Sequence, residues 1–368
     1  MTNVSINDFR AEPEALIRAE VEACERVIRS GWWVLGKEVA AFESEWAQRL
    51  GVPRVVGCGN GMDAIELGLR ALGIGAGDEV ITTPITAFAS VLAVLRAGAI
   101  PVLADIDSET AMLDPDSVRR CIGPRTRAIL LVHLYGQLGA LDRLASLAEE
   151  SGIHLIEDCA QAHGASSKGR YAGSFGAFAA WSFYPTKNLG AVGDGGALST
   201  RSADLADKVQ ALRNYGQTVR YHHPFLGMNS RLDEMQAAIL RERMVFLDRW
   251  TSRRREIAST YTQAITNVEI KLLPLPVERT RHVHHLFVVA STQRDLLAQH
   301  LKNAGVDSLI HYPIPIHRQD PCRYILRDTA GLSRAEAHAA TCLSLPCHPA
   351  MTDSQIEQVV AAANAFKS

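Results

Sequence analysis

One lysine in this chain stands where a nucleophile would be useful. Ser182-Phe183-Tyr184-Pro185-Thr186-Lys187-Asn188-Leu189-Gly190 runs on through Ala191-Val192-Gly193-Asp194 to Gly195-Gly196, so Lys187 occupies a tight, glycine-rich turn after an apolar run. A lysine held on a constrained loop and partly desolvated loses its proton more readily, and its free amine can attack a carbonyl to form a Schiff base. Most lysines are solvated surface charges, and Lys187 taken alone would be read that way.

A second segment shifts the balance. Ile153-His154-Leu155-Ile156-Glu157-Asp158-Cys159-Ala160-Gln161-Ala162-His163-Gly164 reads as a short buried strand ending in polar groups, and carboxylates at strand ends mark sites in α/β proteins. A strand delivering Asp158, followed by a glycine-flanked lysine, is the pair that pyridoxal phosphate requires. The amine takes the carbonyl carbon and the carboxylate holds the pyridinium nitrogen. Upstream, Gly57-Cys58-Gly59-Asn60-Gly61-Met62 follows a strand and opens a helix, so its backbone N–H groups and the helix dipole form a phosphate site. Met62 stands where the last glycine of a GxGxxG dinucleotide fingerprint would be, which argues against that reading.

Four stretches together carry a resemblance over nearly the whole chain: Gly59 to Ala64, Glu157 to Gln161, Ser182 to Gly196, and Gly227-Met228-Asn229-Ser230-Arg231-Leu232-Asp233-Glu234. On these the chain resembles the DegT/DnrJ/EryC1/StrS family of sugar aminotransferases. The resemblance implies a fold type I pyridoxal-phosphate-dependent transferase like aspartate aminotransferase, working as a homodimer with shared active sites. It implies Lys187 as the catalytic lysine, Asp158 on the pyridine nitrogen and Gln161 on the ring hydroxyl. The phosphate falls to the backbone of Gly61 and Met62, to Ser182, and to Asn229 reaching in from a neighbouring subunit. Either Phe88 stacks on the ring or the small Ala87, at the ungapped position, covers it. His163 either supports Gln161 or is a structural histidine. Tyr184 and the proline-stiffened cluster His311-Tyr312-Pro313-Ile314-Pro315-Ile316-His317 offer Tyr184, His311, Tyr312 and His317 as substrate-binding groups.

The implied reaction moves an amino group from L-glutamate, leaving 2-oxoglutarate, to a nucleotide-linked keto-deoxysugar, with pyridoxamine phosphate as the intermediate cofactor form. The runs Val132 to Gln137, Asn229 to Glu234 and Ile310 to Pro315 look most like the branch that aminates C3 of dTDP-3-keto-6-deoxyhexoses. A C4 aminotransferase of the perosamine-synthase kind is the alternative, and a pyridoxal-phosphate-binding regulatory protein is a further one. A sugar 3-dehydratase fits less well, because that branch carries histidine in place of the lysine.

The 368 residues allow a large core and two domains, set at 1–245 for a large cofactor-binding domain and 246–368 for a smaller C-terminal α+β domain. With 21% charged residues and a formal net charge of -2, no basic run invites nucleic acid or an anionic membrane. No charged-then-apolar start or membrane-length apolar run is present, so the protein is expected to be cytoplasmic. Seven scattered cysteines, an odd number, read as reduced thiols, and no CxxC spacing suggests zinc. His282, His284 and His285 share a strand-like run, but no carboxylate or cysteine completes a ligand set nearby and no metal is expected.

The elements that must position these groups follow from periodicity. Short apolar runs at Val55-Val56-Gly57, Val80-Ile81, 101–104, 128–132 and Leu155-Ile156 alternate with helical stretches at 64–72, 90–97 and 141–150. This is an α/β pattern, with a mostly parallel sheet covered on both faces. Helices are expected at 13–30 and 38–50, one long helix or two in series at 231–261, a strand at 283–290, a helix at 294–304, and two late helices at Ser333 and Ser354. The paired Trp32-Trp33 are read as packing residues.

Overall fold

A computed structural model of the chain describes residues 3–367. Its strands are β1 (Arg54–Cys58), β2 (Glu79–Thr82), β3 (Ile100–Leu103), β4 (Thr126–Val132), β5 (His154–Asp158), β6 (Ser166–Ser167), β7 (Arg170–Tyr171), β8 (Phe178–Ser182), β9 (Gly196–Thr200), β10 (Lys271–Leu272), β11 (Phe287–Ala290), β12 (Leu326–Arg327) and β13 (Cys342–Leu345). Its α-helices are α1 (Glu14–Ser30), α2 (Lys37–Leu50), α3 (Gly61–Leu72), α4 (Phe88–Arg96), α5 (Pro115–Cys121), α6 (Leu141–Glu150), α7 (Ala203–Leu212), α8 (Glu234–Met244), α9 (Leu247–Ala264), α10 (Arg294–Asn303), α11 (Ser333–Thr341) and α12 (Asp353–Ala365).

Eight strands form one sheet in the order β1-β9-β8-β5-β4-β2-β3-β12. Only β9 runs against its neighbours; the β8–β5, β5–β4, β4–β2, β2–β3 and β3–β12 pairs are parallel. Successive residues of a strand face opposite sides, and the two sides here feed separate cores. Ile129, Leu131 and Leu155 join Trp46, Leu144 and Leu240 on one face. Ala128, Leu130 and Ile156 join Ile65, Leu69 and Val209 on the other. Near-continuous apolar runs are what such a doubly covered sheet demands.

The N-terminal layer is held by charge as well as by packing. The buried Glu234 carboxylate accepts from the N–H groups of Gly36, Glu38 and Val39, capping α2, and Arg243 of α8 pairs with Glu12 and Glu20. Trp32 and Trp33, just before this cap, are 61% and 52% exposed. The packing role expected of them is not met within the single chain: the 30–36 segment lies on the outside, its backbone held by Glu234 and the Trp32 indole N–H donating to Val34 O at 2.8 Å.

Beyond α9 the chain builds a second, antiparallel sheet, β10-β11-β13, over a core of Ile257, Tyr261, Phe287, Leu301 and Val359. The strand expected at 283–290 begins only at Phe287; His284 has φ +46, and the 282–286 stretch is irregular. The expected helical stretch at 231–261 is two helices, α8 and α9. After the second sheet starts, the chain returns to the first. There β12 pairs with β3, and the buried Asp328 accepts from Ser117 and Arg120 of α5. Asp105 after β3 accepts from the first N–H groups of α11. Among the described residues no helix is long and apolar enough to cross a membrane.

Candidate active site

Because β1, β2, β4, β5 and β8 all run in one direction, their C-terminal ends share one edge of the sheet. Open α/β sheets bind ligands there. β5 ends at Asp158, β8 at Ser182, and β1 leads through Gly59-Asn60 into α3. Asp158 is 6% exposed; its carboxylate accepts from Ser90 Oγ at 2.7 Å and from the Ala160 N–H at 3.1 Å. Ser90 lies in the first turn of α4, which opens at Phe88. Phe88 is thus placed at the site edge, partly buried against the cluster of Ile85, Val91 and Tyr135.

Lys187 follows β8 in a turn closed by Lys187 N–H to Tyr184 O at 2.9 Å and Ala191 N–H to Phe183 O at 2.7 Å. Gly190 is needed for that closure, since a Cβ there would lie 2.3 Å from the Pro185 carbonyl oxygen. The next residue anchors the turn from below: Asn188 donates to Val283 O at 3.1 Å and accepts from His285 Nδ1 at 3.1 Å. Burial brings the Lys187 ammonium down to about 8, against a smaller opposing pull from Asp158. An amine with that value is neutral in roughly a fifth of molecules near pH 7.4, against about one in a thousand at the ordinary lysine value, which raises the supply of nucleophile more than a hundredfold. Capture of pyridoxal phosphate by the apoprotein is therefore expected to accelerate as pH rises and to level off above about 8. A stopped-flow midpoint near 10.5, the ordinary lysine value, would show that burial does not activate this amine.

The phosphate end is built by close approach. A Cβ on Gly61 would lie 2.8 Å from Ser182 Cβ, and one on Gly196 would lie 2.3 Å from Asn60 C, so glycine lets the β1–α3 turn press against β8 and β9. Asn60 caps α3 by accepting from Asp63 N–H at 2.8 Å, and its carbonyl takes the Ala64 N–H. The N–H groups of Gly61 and Met62 keep no partner among the described residues and stand at the positive end of a twelve-residue helix. Ser230 ties the turn to the 227–234 motif, accepting from Gly59 N–H at 2.9 Å and donating to Asp63 at 2.7 Å. Asn229 beside it is exposed.

Gln161 is 6% exposed; its Oε1 accepts from Tyr135 N–H at 2.6 Å and its Nε2 donates to the Tyr312 hydroxyl at 3.2 Å. Burial pushes the Tyr312 phenol up to about 12. His311 bonds Ser344 Oγ at 2.8 Å, and burial first, then the Lys187 charge, brings it down to about 4. These residues fit pyridoxal phosphate. The buried Asp158 carboxylate has only neutral hydrogen-bond donors, which suits a protonated ring nitrogen, while the lysine and two free helix N–H groups suit the carbonyl and phosphate ends.

The chain matches the DegT/DnrJ/EryC1/StrS aminotransferase family over residues 14–364. The chain belongs to this family. It is 45% identical over 354 residues to the dTDP-3-amino-3,4,6-trideoxy-alpha-D-glucose transaminase of Streptomyces venezuelae, covering 96% of this chain and 93% of that one. It is 41% identical over 360 residues to a protein of Geobacillus stearothermophilus named a pleiotropic regulatory protein, covering 97% of each. The crystal structure of S. venezuelae DesV superposes with a TM-score of 0.95 at 43% identity, over 99% of this chain and 98% of that chain. The protein is thus a pyridoxal-phosphate-dependent aminotransferase with an α/β fold.

Not every residue expected at the site of this aminotransferase lies there. His317 is buried in a short 3-10 turn, with Nε2 2.8 Å from Glu336 Oε1 of α11, and is corrected to a tether between that turn and the helix. Its spacing from His311 suggested a shared loop face, but in the Ile316–Arg318 turn its ring is buried and its Nε2 is taken by Glu336. His163 does not touch Gln161. It is enclosed by Trp46, Trp181 and Phe183, with ring centroids 6.0, 5.2 and 5.6 Å away, and burial takes it down to about 3. Tyr184 is 52% exposed at the mouth of the lysine turn.

His282 and His284 stack at 3.8 Å, the ring of His282 accepting from the His284 N–H. A different buried trio, His133, Glu157 and Cys159, lies within ligand distance, but Glu157 already accepts from His133 and from the N–H groups of Gly173, Phe175 and Gly176. It serves to pin β5 to the 173–176 loop. Ser90 and Asn188 were given no role from the sequence, and His285 was weighed only as a metal ligand, because each acts through a neighbour.

Proposed function

We propose that this aminotransferase moves the amino group of L-glutamate to C3 of a dTDP-linked 3-keto-6-deoxyhexose. One observation of the structure carries the nucleotide part: a cavity of about 460 Å³ opens beside the lysine turn, lined by Pro185, Thr186 and Lys187 on one side and by Arg249 and Arg254 of α9 on the other. Arg254 is 4% exposed and donates only to the backbone carbonyls of His284, His285 and Cys347; its Nε has no partner. Arg249 forms no ion pair among the described residues. Buried or unclaimed guanidinium groups suit a diphosphate. Phe246 and Trp250, stacked at 5.8 Å on the same wall, suit a flat base. The choice of C3 and of a dTDP sugar rests on the likeness to the S. venezuelae transaminase.

In this reading Lys187 takes the cofactor and later carries the proton between substrate carbon and cofactor, Asp158 holds the ring nitrogen, and the NH2 of Gln161 meets the ring hydroxyl. Gly61, Met62 and Ser182 hold the phosphate, and Phe88 lies over the ring. Tyr184, His311 and Tyr312 face the sugar. Bound, the cofactor supplies an electron-withdrawing ring that stabilises negative charge at the carbon losing its proton. The deciding experiment incubates the enzyme and glutamate with a panel of 3-keto and 4-keto dTDP-, UDP- and GDP-sugars, with product structure by NMR. Nitrogen at C4 would overturn the C3 assignment.

The same reading includes a cytoplasmic homodimer with shared sites. Its support is the exposed Asn229 and the apolar surface around it: Trp32, Trp33, Tyr221 and Leu226 are 61%, 52%, 79% and 91% exposed. The bridge of Val34 to Asp233 brings the 32–34 segment beside the 227–234 motif that carries Asn229. Mixing Lys187→Ala with Asn229→Ala subunits is expected to restore up to about a quarter of wild-type activity through heterodimers holding one intact site. Verified subunit exchange without any gain over the parents would count against a shared site.

A further inference from the structure

We infer that Tyr135 is the positioning residue that fixes the Gln161 side chain, turning the amide so that it meets the bound cofactor as a hydrogen-bond donor. The inference rests on the proposed place of Gln161 beside the ring hydroxyl. Tyr135 comes three residues after β4 and has φ +60, a left-handed conformation that L side chains rarely adopt. That turn aims its N–H at Gln161 Oε1, 2.6 Å away. A carboxamide has one accepting end and one donating end. With the oxygen claimed by a backbone donor, Gln161 can offer only its NH2 to anything else in the pocket.

The side chain of Tyr135 closes a ring around the same amide. Its hydroxyl lies 2.5 Å from His311 O and 2.8 Å from His338 Nε2. A carbonyl can only accept, so the single phenolic proton goes to His311 O, and His338 must donate. Burial brings His338 down to about 4, which leaves it neutral with one N–H. His311 leads directly to Tyr312, whose hydroxyl accepts from the other end of Gln161 at 3.2 Å. Gln161 is thus gripped at its oxygen by the Tyr135 backbone and at its nitrogen by a tyrosine that the Tyr135 hydroxyl holds in place. His338, on α11, supports the far side of this ring.

The test is a pH titration of the visible absorption of the holoenzyme, loaded with pyridoxal phosphate and without substrate. A donor on the ring oxygen stabilises its deprotonated form, so loosening that donor moves the spectral midpoint upward. Gln161→Leu sets the scale, with an expected rise of about 1 pH unit. Tyr135→Phe, which keeps the backbone N–H and frees His311 and Tyr312, is expected to raise the midpoint by about 0.3–0.7 unit. His338→Leu, which strips the donor from the same hydroxyl, should move it in the same direction, and serves alone if Tyr135→Phe does not fold. If Gln161→Leu shifts the midpoint and neither other variant does, even with lowered melting temperatures, Tyr135 is merely structural and the inference is overturned. If Gln161→Leu leaves the midpoint in place, the placement of Gln161 itself fails and takes the inference with it.

Discussion

Lys187→Ala is expected to abolish amino transfer, lowering turnover by about 10⁴-fold or more, because the residue is asked both to capture the cofactor and to carry the proton between carbon and cofactor. Each role by itself is worth about 10²–10⁴. The loss should be chemical. The lysine turn is held by backbone bonds from Lys187 N–H to Tyr184 O and from Ala191 N–H to Phe183 O, and by Asn188, all of which alanine preserves. The ammonium itself makes no hydrogen bond or ion pair among the described residues. The purified variant should therefore melt close to wild type, bind the cofactor through its phosphate end, and lack the visible band of the wild-type holoenzyme. Steady multiple turnover by the pure variant would sink the assignment.

Asp158→Asn should keep the fold and lose about three powers of ten in turnover. The amide is nearly isosteric, and Ser90 Oγ, which also lies 2.9 Å from Thr86 Oγ1, can rotate its hydrogen to Thr86 and accept from the new NH2. The missing quantity is charge. One ion pair at about 4 Å in a partly desolvated site is worth about 4 kcal/mol at an effective dielectric of about 20, or nearly three decades of rate. Since that interaction matters most as the ring takes up negative charge, kcat should fall and KM for glutamate should change little. A variant within tenfold of wild type would mean that Asp158 does not govern the ring nitrogen.

What could be read from the sequence, and what could not, follows from where each signal is stored. Runs such as 128–132 announce a buried strand because both faces must be apolar, and the helix at 141–150 matches its expected bounds because its apolar positions recur on one face. β8, β9 and β13 gave weaker signals: Phe178–Ser182 and Gly196–Thr200 mix small and polar residues that sheet neighbours bury. The 282–286 stretch alternates like a strand, yet it makes only a single bridge, His282 with Gln137, before His284 turns at φ +46 and His285 bonds Asn188. At the site, Lys187, Asp158 and the Gly61 turn are legible because their chemistry depends on residue type in a local frame. The bond of His317 to Glu336 was not legible because proximity in sequence does not say which partner on a later helix a ring in a 3-10 turn will meet. Tyr135 was hidden because its hold on Gln161 combines a backbone N–H, which no residue letter encodes, with hydroxyl contacts to His311 and His338, which lie far along the chain.

The return of β12 to the large sheet sets how this enzyme can breathe. A C-terminal segment joined only through α9 could swing about one hinge. Here it is fastened a second time, by β12 against β3 and by Asp328 and α11 against the residues around α5. Two separated attachments oppose the rotation that a single pivot allows, so a clamshell swing of the whole C-terminal segment would have to part β12 from β3 and Asp328 from Ser117 and Arg120.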